Sequence, residues 1–166
     1  MFGGARRRAT EHVVQSIRPL IAIYQSYSGL PAGFWRDEFV LGFIGFMISF
    51  HANVTSGVKL STADKGHLLY DVLSAISNMN GQAIGREYTQ LATQFPKNPD
   101  FEKGADNAAI CAFASIGKMS PEGRPYYDMA KELADAQGTP DDLSAIGGFL
   151  LHILFYQPLR ERFGTD

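Results

Sequence analysis

A single cysteine, Cys111, stands among the 166 residues. That scarcity excludes an internal disulfide and any thiolate metal cluster. Cys111 lies in the small apolar run "AAICAFAS", residues 108 to 115, where a free thiol behaves as a small buried hydrophobe. We expect a reducing, cytoplasmic setting on this ground. Neither sign of charge dominates, since 15 Lys and Arg stand against 17 Asp and Glu for a net charge of −2. A nucleic-acid binder needs surplus cations to neutralise phosphates, so no nucleic-acid partner is expected. Charged residues make up only 19% and apolar residues 45%, which is the balance of a compact globular protein and not of a disordered one.

Long hydrophobic runs are missing too. The longest, Phe39 to Phe50 ("FVLGFIGFMISF"), is a dozen residues, against about 20 needed to span a bilayer. A second run, "IGGFLLHILFY" at 146 to 156, is shorter and contains His152. No transmembrane segment is expected. Arg6, Arg7 and Arg8 form a basic cluster, but the apolar stretch after them is broken by Gln15, Ser16, Arg18 and Pro19, so a secretory signal is not expected. Residues 1–9 therefore read as a loose N-terminal arm or a first helical turn. Strand-like alternation, internal repeats and dividing linkers are absent as well.

Helical punctuation fills the chain instead. Val13, Val14, Ile17, Leu20, Ile21 and Tyr24 recur at helical spacing, with Pro19 expected to kink or restart that helix. Ser61 and Asp64 have capping-box spacing. Ile84, Tyr88, Leu91 and Phe95 line one face of a further helix closed by Pro96. Asn98-Pro99, Ser120-Pro121 and Thr139-Pro140 each pair a capping side chain with a proline in the first turn. The expectation is one all-α domain over 1–166, a compact bundle of about seven helices around a central apolar helix at residues 34–55. On the helical wheel Gly42, Gly45, Ser49 and Ala52 form a small-residue stripe, which calls for a closely packed partner helix. The small-residue segment 107–115 is the expected partner.

Chemistry is sparse. His51 falls on the large apolar face of the central helix, which makes His51, Ile44 and Met47 the candidate lining of a small apolar-ligand pocket. A neutral core histidine satisfied by a nearby carbonyl or hydroxyl is the alternative. Asp64, His67 and Asp71 share one arc of a helix, as metal ligands do, but the apolar residues Leu69, Val72, Leu73 and Ile76 lie opposite. That arc reads as a solvated face, and no metal, haem or other cofactor is expected. Arg124, Tyr126, Tyr127 and Asp128 near a helix start suit either a small acidic ligand or a bundle edge. There is no G-x-S-x-G motif and no phosphate loop.

The last helix carries large apolar side chains in almost every direction, which predicts a homodimer with Phe149, Phe155 and Tyr156 at its interface. The leading functional expectation is a non-enzymatic helical interaction or scaffold protein that self-associates through this helix. The alternative is an apolar-ligand binder using His51.

Overall fold

Capping side chains locate most of the helix starts. In the computed structural model, which describes residues 3–164, Asp37 accepts the N–H of Val40 at 3.1 Å and opens α2, Glu38–Phe50. Ser61 accepts the N–H of Asp64 at 3.1 Å while donating its hydroxyl to Asp64 Oδ2 at 2.7 Å, opening α3, Thr62–Ser77. Asn80 accepts from Gln82 and Ala83 at the start of α4, Gly81–Thr93, and Asn98 accepts from Phe101 at the start of α5, Pro99–Ser115. Each bond satisfies a backbone donor that a helix start leaves without a partner. The remaining helices are α1, Gly3–Ser28, α6, Arg124–Ala136, α7, Leu143–Leu151, and α8, Gln157–Phe163. A π turn at His51–Thr55 extends α2, and another at His152–Tyr156 joins α7 to α8, leaving seven continuous helices and no strand among the described residues. The fold is all-α.

Contacts gather into two compact units, Met1–Ala105 and Asp106–Asp166. The division falls inside α5, a continuous helix, so no linker marks it in the sequence.

In the first unit α2 is the centre. Ten of its thirteen residues are buried, which requires neighbours on every side, and it contacts α1, α3 and α4. Phe39, Phe43 and Ile44 are among the fully enclosed side chains, each contributing on the order of 1.5–3 kcal/mol. Glu38–Thr55 is long and apolar enough to cross a membrane, yet 61% of it is buried inside the protein, as befits a core helix. The helix, Glu38–Thr55 with its π turn, is shorter than the expected 34–55. Phe34–Arg36 form a separate 3-10 turn, because Asp37 is extended in order to cap.

The glycines of α2 find a closer partner than segment 107–115. A Cβ on Gly42 would overlap the carbonyl oxygen of Phe101, and one on Gly104 would overlap that of Phe39. The backbones of α2 and the first half of α5 thus touch at a glycine pair. Gly45 lies instead under the ring of Tyr88.

Other boundaries differ from the sequence reading for local reasons. α1 runs unbroken from Gly3 through Pro19, which is exposed. The segment read as an arm is therefore helical from residue 3, held by Arg7 to Glu11 at 2.8 Å and Arg6 to Asp71 at 3.4 Å; Met1 and Phe2 lie outside the described residues. Phe95 follows the end of α4 and is 96% exposed. Ser120-Pro121 makes a turn, with Ser120 accepting from Gly123, before α6 begins. Thr139-Pro140 also makes a turn, because Asp142 supplies the cap for α7 through bonds to Ser144 and Ala145.

In the second unit α6 packs on α7, and its buried residues are Ala130 and Ala134. The π turn between α7 and α8 has a clear cause. Pro158 has no N–H to offer the carbonyl of Leu154 and its ring crowds that oxygen. Asn107 fills the vacancy, its side-chain amide donating to Leu154 O at 2.7 Å.

Candidate functional site

Two places gather functional side chains, one in each unit. In the first, the end of α2 is finished by its own side chains. Asn53 donates to Ser49 O at 2.7 Å, Ser56 to Ala52 O at 2.7 Å, and the Ser56 N–H reaches His51 O, five residues back, at 2.9 Å. This wider turn aims Thr55 at two imidazoles. Thr55 Oγ1 lies 2.9 Å from His51 Nδ1 and 2.7 Å from His12 Nε2 of α1. A hydroxyl has one proton, so at least one ring must donate its N–H to that oxygen.

His51 is half-buried. Burial first, and then the nearby His12, push its pKa below the ordinary 6.5, so it is neutral at pH 7. No carboxylate is among the groups that shift it. The side-chain partner of both rings is the Thr55 hydroxyl. It ties α1 to the end of α2, a structural bridge that periodicity alone could not find because His12 is 39 residues from His51.

The expected pocket companions of His51 are packed core. Ile44 is fully enclosed and Met47 is buried. The weak metal candidates do not converge. Asp71 pairs with Arg6, Asp64 belongs to the Ser61 capping box, and His67 is exposed. No group of three metal-ligating side chains occurs among the described residues.

The second unit holds an open cavity of about 670 Å³. Its apolar wall comes from Ala114, Met119, Leu143, Ile146 and Leu150, and its polar residues include Lys118, Arg124, Tyr127, Ser115 and Ser144. No carboxylate lines it. Neither Lys118 nor Arg124 makes an ion pair among the described residues. Of the "GRPYYDMAKE" residues, Arg124 and Tyr127 line the cavity, while Tyr126 and Asp128 are exposed. Cys111 also lines it but is buried, and burial pushes its thiol up from 9.0 to about 12. Lys118 and Met119 also border a second hollow of about 500 Å³, where Asp106 and Glu122 stand.

Gly147 is the least expected part of the wall. It lies inside α7, and a Cβ there would meet nothing within 4 Å; the same holds for Gly148. Helical glycine costs about 1 kcal/mol against alanine, and the packing that explains Gly42 is missing here. Gly66 of α3 shares that openness without lining the cavity. The sequence reading touched this wall only through Arg124 and Tyr127; the adjacent Gly147 and Gly148 are a further signal that it did not use.

The last helix differs from expectation. Phe155 is 0% exposed and Tyr156 9%, so the chain itself covers both and neither offers a surface to a second copy. Both lie in the π turn His152–Tyr156. Phe149 is half-buried. The chain is thus an all-α protein with an open, cation-bearing cavity in its second unit. No family model, curated protein or solved structure matches it.

Proposed function

We propose that this chain is a non-enzymatic binder of a small, largely apolar molecule, held in the cavity of the second unit. The observation that carries this reading is a cavity of about 670 Å³ with an apolar wall, within the range of about 300–1,000 Å³ typical of ligand pockets. Gly147 supports it, because a glycine with open space before it lets a ligand approach the helix backbone. The site replaces the pocket expected at His51, whose polar groups already satisfy one another.

A neutral solvatochromic dye such as Nile red tests the reading. The expected result is saturable binding of one dye per chain, weakened roughly tenfold or more by Gly147→Phe. Circular dichroism should be unchanged, since the new side chain grows into empty space. Saturable binding that Gly147→Phe leaves intact would locate the ligand elsewhere.

A second reading, self-association, is favoured by one observation. Tyr126, Met129 and Leu133 form an exposed apolar stripe along α6. Two copies related by a two-fold axis set Tyr126 of each against Leu133 of the other, so the stripe is self-complementary. Light scattering would give twice 18.2 kDa, and Leu133→Asp would restore the monomer. A monomeric parent protein removes this reading.

A further inference from the structure

We infer that the ligand of the second unit is a single-tailed carboxylic acid whose carboxylate is held by Lys118 and Arg124. This rests on the ligand-binding reading above and adds the chemistry of the head group. Two cations line the cavity beside its apolar wall and the hydroxyls of Ser115, Tyr127 and Ser144, with no acid among the lining residues and no ion pair to either cation among the described residues. A neutral apolar ligand gains nothing from them. An acid head group gains two charge-assisted hydrogen-bonding partners, one of them a guanidinium able to bind a carboxylate with two parallel bonds.

The helix that carries Arg124 adds to the same preference. α6 has no acidic residue in its first turn and no side-chain cap, and its partial positive end lies beside Arg124. Tail number follows from size. The cavity is that of one compact ligand and not of a two-tailed lipid. In this assignment the tail packs on Ile146 and Leu150 of α7, beside the open face of Gly147, and the head pairs with Lys118 and Arg124.

Decanoate, decanol and decylamine share one tail and differ in the head group, so calorimetric titration of the full chain with each separates head from tail. The expected order is decanoate tightest, decanol weaker by roughly tenfold or more, and decylamine weakest. Lys118→Gln and Arg124→Gln, both at exposed side chains, should weaken decanoate by a larger factor than decanol and so close the gap between the two. Equal binding of acid and alcohol overturns the head-group assignment while the apolar-ligand reading stands. No binding of any of the three, together with no uptake of Nile red, overturns both. Decanoate binding that survives Gly147→Phe also refutes the assignment, as does binding to anionic phospholipid vesicles without binding of free decanoate.

Discussion

Adding one methyl group at Gly42 and at Gly147 should change stability in opposite directions. Both glycines sit inside helices, and neither has a left-handed backbone, so alanine gains the same helix propensity at each, about 1 kcal/mol. At Gly147 nothing opposes the gain, because the new Cβ has no neighbour within 4 Å. Gly147→Ala should therefore stabilise by about 0.5–1 kcal/mol. At Gly42 the Cβ would overlap Phe101 O and stand 2.9 Å from Phe101 C and 3.1 Å from Ala105 N. These are backbone atoms and cannot swing aside, so α2 and α5 must part. Overpacking a core costs typically about 1–3 kcal/mol, and an immovable neighbour puts Gly42→Ala at the upper end of that range. After the propensity gain, the net loss is about 2 kcal/mol. Urea titration followed by far-ultraviolet circular dichroism reads both variants, with the buried Trp35 as a second probe of the first unit. A neutral or stabilising Gly42→Ala would refute the backbone contact between α2 and α5. A destabilising Gly147→Ala would refute the open wall.

Stability should depend on pH through His51. Its native pKa is depressed by burial and by His12, so the unfolded chain binds the proton more readily. The contribution is fully present above the unfolded value of 6.5, declines as pH falls below it, and levels off below the native pKa. Urea midpoints between about pH 5 and 8 should show this decline, and His51→Gln should reduce it; an undiminished slope in the variant would assign the effect to another group. Cys111, with its thiol pushed up to about 12, should resist a disulfide exchange reagent in the native protein and react promptly in denaturant, since the thiolate is the reactive form. Prompt native reaction would show that the cavity exposes the sulfur.

Local chemistry was legible in the sequence wherever a short stretch decides its own conformation. Ser61 with Asp64 marks the start of α3, Asn98 with Pro99 marks that of α5, and the apolar wheel of residues 39–50 marks α2 as a helix enclosed on all sides, all without reference to distant residues. Ser120-Pro121 and Thr139-Pro140 show the limit of such signals: a cap followed by proline also makes a turn, and a competing cap such as Asp142 moves the helix start. Tertiary structure alone decided the rest. Thr55 bridges His12 and His51 only because α1 passes the end of α2, and Asn107 serves Leu154 only because α5 lies beside the π turn. Lys118 and Arg124 share a cavity with Leu143 and Leu150 because α6 packs on α7. Caps and periodicity act over four residues or fewer, whereas these contacts depend on which helix faces are neighbours, and that is fixed by how the apolar surfaces of all the helices are covered at once.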